Sequence, residues 1–213
     1  MNRHTLFLPV EIKHRELLGK ALLACVAAEA GHTSYIGEQN ELFDLLDHLP
    51  PGIYLEKVLT RAQARRLRRF RALGLYLAGW DEEGLVYRNA ALYLNDRIAP
   101  PSFALLDQFF AWGEVQRGDV EAGFPDAATR LTATGNPRFD LLRPEFRALF
   151  TEQAEAFQAE HGRYVLVNTT FGRITHVEGH DYVAKLRLGE LCDAEPPRTV
   201  VAGAHPLVRF AVA

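Results

Sequence analysis

GLYLAGWDEEG, residues 74–84, is the stretch on which the fold turns. An apolar run ends at Trp80 and is followed at once by three carboxylates, Asp81, Glu82 and Glu83, which Gly84 cuts off. It reads either as a polar turn closing a buried strand or as a strand end that carries chemistry. Flanking segments repeat the form. TLFLPV (5–10) is strand-like and precedes an alanine- and leucine-rich helix, RELLGKALLACVAAEAG (15–31), which Gly31 closes as a C-cap. HTSYIG (32–37) is a second short strand, ELFDLLDHL (41–49) a helix, and Pro50, Pro51 and Gly52 turn the chain into IYLEK (53–57). Segment 60–73 is helical by its periodicity, with Leu59, Ala62, Phe70 and Leu73 as its apolar stripe. DQFFAWG (107–113), a helix and RLTATG (130–135) follow the opening stretch. Strands separated by helices at this spacing predict βαβ units and a mostly parallel, Rossmann-like α/β sheet flanked by helices.

The first domain is expected to span residues 1–142. GNPRFDLLRPEF (135–146) has two prolines and leads into a polar helix, so residues 143–162 read as a connector. RYVLVNTT (163–170) then starts a new buried strand. Residues 163–213 are too few for a second doubly wound domain, which takes about 100 residues or more, so an incomplete one is expected.

Composition sets broad limits. Of the 213 residues 48% are hydrophobic and 24% charged, and the formal net charge is −3, which describes a globular chain without the basic excess of a nucleic-acid partner. Cys25 and Cys192 lie far apart, as in a reducing compartment, and Cys25 within ALLACVAA reads as a core residue. No apolar run is long enough to span a bilayer, and the expected location is the cytoplasm.

In open α/β sheets ligands bind beyond the carboxyl ends of the strands. PVEIKHRE, WDEEG, WGE and NTTFG occupy such positions. Adjacent, partly buried carboxylates raise one another's pKa, which makes the DEE run a candidate general base. Glu11, Lys13, Arg15 and Glu16 read either as a recognition cluster for a polar, anionic substrate or as an exposed first helical turn. Asn168, Thr169 and Thr170 could offer N–H groups and hydroxyls to a phosphate. The six arginines from Arg61 to Arg71 read as a solvated basic face, with contact to anionic lipid, peripheral to the inner membrane, as the alternative. His176 and His180 have metal-pair spacing, but Gly179 weakens the helix and a third ligand is lacking, so no metal is expected. No cofactor is expected either.

LPVEIKHREL, LPPGIYLEK, DEEGLVY, FFAWGE, TGNPRFDLLRPEFRALF and YVLVNTTFG together resemble the bacterial surface-carbohydrate biosynthesis proteins, glycosyltransferases of the two-Rossmann GT-B architecture. The resemblance covers roughly residues 4 to 175. It implies that the first domain is the acceptor-binding N-terminal domain of such an enzyme and that TGNPRFD, with Asn136 as a substrate-binding residue, leads to the donor domain. The chain is also similar to sialyltransferases and Kdo transferases that use CMP-activated sugars. Their acidic-acidic-glycine motif matches Glu82, Glu83 and Gly84, which makes Glu82 the implied base, with Asp81 one register away and Glu11 as runner-up. Lys13 and Arg15 are the implied holders of an anionic acceptor. Their His-Pro motif, which contacts the CMP phosphate, is matched by His205 and Pro206. Past about residue 180 the sequence departs from the family as though truncated, so transfer from a nucleotide sugar to a glycan acceptor depends on a completed donor domain. The alternatives are a non-catalytic saccharide-binding or partner protein derived from such an enzyme, and a sugar-nucleotide epimerase.

Overall fold

The computed structural model describes residues 3–165. They form two compact units that divide between Phe150 and Thr151. In the first, β1 (Thr5–Val10) leads to α1 (Lys13–Glu29), β2 (Thr33–Glu38), α2 (Gln39–Leu45), β3 (Ile53–Glu56) and α3 (Ala64–Ala72). Then come β4 (Tyr76–Gly79), α4 (Ala90–Asp96), α5 (Pro100–Phe103), β5 (Gln108–Ala111), α6 (Glu114–Gly123), β6 (Leu131–Ala133) and α7 (Pro137–Asp140). Within the second unit, the described residues form α8 (Thr151–His161), after which Gly162 takes a positive φ of 66°. Strand RYVLVNTT, the histidines of HVEGH, Cys192 and the NTTFG loop lie wholly or mainly beyond the described residues.

All six strands are parallel, in the order β2-β1-β3-β4-β5-β6. The expected Rossmann-like sheet is what the chain forms, with helices against it. From β1 the chain first moves outward to β2, then returns across β1 to β3 and continues away. This reversal makes the gap between β1 and β3 the topological switch point, where strand ends splay and ligands of such sheets bind. Pairing between β1 and β3 is confined to Leu6 with Ile53 and Phe7 with Tyr54.

Successive side chains of a strand leave on opposite faces, and the core follows that alternation. Phe7, Tyr54, Leu77 and Phe109 join the larger cluster, with Leu42 and Phe43 of α2, Leu67 and Phe70 of α3, Tyr93, Phe103 and Val120. Their neighbours Leu8, Leu55 and Ala78 join Trp80 in a smaller cluster, against which Leu23 and Ala24 of α1 and Phe110 pack. The larger layer covers one face. The other is covered by α1, and α7 returns from β6 to lie against α1, with the Arg138 backbone N 3.0 Å from where a Cβ on Gly19 would stand.

Two expectations are corrected. Cys25 is exposed. The stripe of α1 that faces the sheet runs through Glu16, Gly19, Lys20, Leu23, Ala24 and Ala27, and a residue nine positions after Glu16 lies half a turn away from it. In α3 the buried stripe is Ala64, Leu67 and Phe70, and Ala62 is exposed. The arginines of this segment divide. Arg66 pairs with Glu56 at 2.7 Å and lies over the Phe43 ring, Arg69 pairs with Asp47, and Arg71 pairs with Asp107 at 3.0 Å. Arg61, Arg65 and Arg68 remain exposed along one stripe. Three such side chains would supply about 3 kcal/mol at an anionic membrane surface.

Gly52 lets β3 start against β1. A Cβ there would stand 2.4 Å from the Thr5 carbonyl oxygen, and the obstacle is backbone, which cannot swing aside. Gly52→Ala is expected to destabilise the first unit by about 1–3 kcal/mol, read as a lowered urea midpoint with unchanged slope.

Candidate functional site

Charged side chains crowd the carboxyl end of the sheet because consecutive residues at each strand end part to opposite faces. Glu56 closes β3 and turns toward α3, where one oxygen accepts from Arg66 and the other from the N–H groups of Lys57 and Val58 at 2.9 and 3.2 Å. Lys57 turns the other way. Its ammonium, 2% exposed, meets Glu11 and both oxygens of Glu16, at 3.2 and 3.4 Å. Lys20, one helical turn after Glu16, is equally buried and reaches the Pro9 carbonyl oxygen, Glu16 at 3.1 Å and Glu82 at 3.2 Å.

Glu16 is the hub. Its carboxylate has no exposed surface and takes Lys20, Lys57, an Arg15 guanidinium nitrogen at 3.0 Å and the Glu11 N–H at 3.0 Å. Burial alone would raise its pKa. The Glu11 N–H, Lys20 and Arg15 outweigh that and hold it down to about 2.

The three carboxylates of the opening stretch each turn to different cationic partners. Asp81 is fully buried toward α4 and bound by Arg97, the residue just past that helix. Glu82, 4% exposed, turns to the α1 face, with Oε1 on Lys20 and Oε2 4.0 Å from Arg138. Glu83 stays on the surface, bridging Arg15 and Arg97 at 2.9 Å each. The β4 ladder carries this pattern past the strand, since the Trp80 N–H donates to Glu56 and the Glu82 N–H to Lys57.

Gly84 does more than turn the chain. A Cβ on it would stand 2.1 Å from Gln116 Nε2 and 3.0 Å from the Tyr93 hydroxyl. Gln116 accepts the Trp112 N–H at 2.6 Å and donates to Tyr93, while the Trp112 indole N–H donates to the Asp81 carbonyl at 2.6 Å. Tyr87 stacks on Tyr93 at 4.2 Å and donates to Asp119, and burial together with that carboxylate pushes its pKa up to about 12. Between the loops at 84–87 and 112–116 lies a cleft of about 460 Å³ whose rim carries Val86 and Val115, 82% and 78% exposed. Arg138 lies over the Trp112 ring at 5.3 Å and donates to the Glu82 carbonyl at 3.4 Å.

Of the residues singled out from sequence, Glu11, Arg15, Asp81, Glu82, Glu83 and Gly84 are brought to this edge. Asn136 caps α7, accepting the Arg138 N–H at 2.9 Å, and its side-chain nitrogen is buried without a partner among the described residues. Lys13 is exposed in the first turn of α1 and makes no ion pair among the described residues. Asn168, Thr169, Thr170 and His205 lie outside the described residues. Lys20, Lys57, Arg97 and Arg138 were not foreseen as site residues, and Trp112 was marked only as part of the WGE stretch. Lys57 ends IYLEK, so the strand-end rule applied to β3 would have found it, and Lys20 stands four residues after Glu16. Nothing local marks Arg97. Among the described residues no group of three or more His, Cys, Asp or Glu side chains could hold a metal ion, and no helix is long and apolar enough to cross a membrane.

Two outcomes follow from the buried charges. Lys20→Met leaves Glu82 without its ammonium and Glu16 short of one, and is expected to cost about 3–5 kcal/mol in urea unfolding, with Lys20→Met/Glu82→Leu recovering only the part owed to Glu82. The Glu16 pKa is depressed on folding, so its contribution to stability is complete above pH 4.5 and vanishes as the pH falls through about 2. The difference in urea midpoint between the protein and Glu16→Gln is therefore expected to hold steady from pH 7 down to about 4.5 and to shrink below it.

Comparison of the chain with protein-family models, with curated proteins and with solved structures gave no match.

Proposed function

We propose that this chain provides the acceptor-side domain of a glycosyltransferase for bacterial surface polysaccharide, moving a sugar from a nucleotide-activated, CMP-linked donor to a glycan hydroxyl. The observation that carries the reading is the position of Glu82. It stands past the end of a central strand at the binding edge of the sheet, two residues before a loop that lines an aromatic cleft, and its two oxygens are treated differently. Among the described residues, Oε1 is held by Lys20 at 3.2 Å, while Oε2 has only the longer 4.0 Å approach of Arg138. An acceptor hydroxyl that reaches Oε2 hands it a proton. The hydroxyl oxygen then bonds to the anomeric carbon as the carbon–oxygen bond to phosphate breaks, and the nucleotide leaves with that electron pair. Lys20 and Arg138 hold the carboxylate in place for the step, and bringing acceptor and donor together contributes further rate. The resemblance supplies the donor side, through Asn168, Thr169, Thr170 and His205.

A second reading, a saccharide-binding protein without turnover, is favoured by one observation. Glu82 is 4% exposed and already paired, so the base is reached only if a bound acceptor displaces its neighbours.

The test is incubation with CMP-sugars and oligosaccharide acceptors, reading transfer by mass spectrometry. The enzyme reading predicts transfer, with Glu82→Gln slowing it by about 100- to 10,000-fold at saturating acceptor. Saccharide binding without transfer supports the second reading. Interconversion of a UDP-sugar with no acceptor present would replace both with an epimerase.

A further inference from the structure

Five carboxylates and five cations at the binding edge form one connected network. Glu11 joins Lys57, Lys57 joins Glu16, Glu16 joins Lys20, Lys20 joins Glu82, and Glu82 faces Arg138. From Glu16 a second branch passes through Arg15, Glu83 and Arg97 to Asp81. The network is closed in charge. Of the two cations expected to hold an anionic acceptor, Lys13 is exposed in the first turn of α1 and stands outside this network, while Arg15 is divided between Glu16 and Glu83, and an anion could take Arg15 only by leaving one of those carboxylates short of a partner.

The cleft beside the network is equally without free charge. Among the described residues its lining is Leu85, Val86, Tyr87, Trp112, Val115 and the polar Gln116, and its one charged side chain, Glu114, pairs with Arg117 at 2.7 Å. Gln116 is itself spent on Trp112 and Tyr93. Aromatic and aliphatic walls beside a charge-closed polar floor suit the flat apolar face of a pyranose, with its hydroxyls toward the floor.

We infer that the acceptor this edge takes is an uncharged saccharide, not one carrying a carboxylate, sulfate or phosphate. This rests on the saccharide-acceptor reading above and narrows it.

The test is binding of the intact chain to a glycan array printed with matched pairs: lactose and 3′-sialyllactose, cellobiose and its uronic acid counterpart, and chitobiose with and without a 6-sulfate. Neutral members are expected to bind about tenfold or more tightly than their charged counterparts, with affinity unchanged from about 50 to about 500 mM sodium chloride. Glu83→Gln, at an exposed position, leaves Arg15 with Glu16 alone and Arg97 with Asp81 alone, so each has spare donors, and is expected to shift the preference toward the charged member by about fivefold, in a salt-sensitive way. A wild-type preference for the charged members, or a preference that Glu83→Gln leaves where it was, overturns the inference and spares the acceptor reading. Absence of binding to every saccharide overturns the acceptor reading, and the inference falls with it.

Discussion

Glu16 is a carboxylate with no exposed surface, and its burial is tolerable only because three cations and a backbone N–H converge on it. Those partners come from different parts of the fold. Arg15 and Lys20 belong to α1, Lys57 follows β3, and the N–H is that of Glu11 at the end of β1. One side chain therefore fastens the first helix across the point where β1 and β3 separate, which hydrogen-bonded pairing between those strands does not reach. A buried ion pair contributes little net stability compared with apolar packing of the same volume, whereas an unpaired buried charge is costly. The value of this arrangement is positional. It fixes Lys20, and Lys20 fixes Glu82.

Alternation at the strand ends extends the same logic. Because neighbouring residues leave a strand on opposite faces, EK at the end of β3 sends its acid to α3 and its base to α1, and the DE after β4 sends Asp81 to Arg97 and Glu82 to Lys20. Sequence neighbours thus become members of different layers. The second acid of the DEE run stands with residues from the N-terminal helix rather than with the acids beside it.

This explains what could be read from the sequence and what could not. All six strands of the first unit were legible because their apolar runs are bounded by turn residues and by helices of ordinary composition, and parallel pairing follows from that order. The residues at strand ends were legible as a class, since Glu11, Arg15 and the DEE run stand where the sheet opens. Their partners were not. Lys57 stands at the end of a strand, but its partners Glu11 and Glu16 are 46 and 41 residues away in sequence, and Arg97 and Arg138 come from positions whose proximity only the tertiary fold creates. Cys25 was misplaced for a related reason. The sheet-facing stripe of α1 begins with Glu16 and Lys20, so an apolar-face reading of the helix selects the wrong side.

Gly84 ties two loops that are separate in sequence. Its missing Cβ is the space that Gln116 occupies, and Gln116 in turn orders Trp112 and Tyr93. Positions 84 and 116 are therefore expected to vary together among related chains, a larger residue at one accompanied by a smaller one at the other. For anyone reshaping the cleft, the two walls form a single adjustable part, and changes to either loop alone will be transmitted through Gln116 to Trp112 and Tyr93.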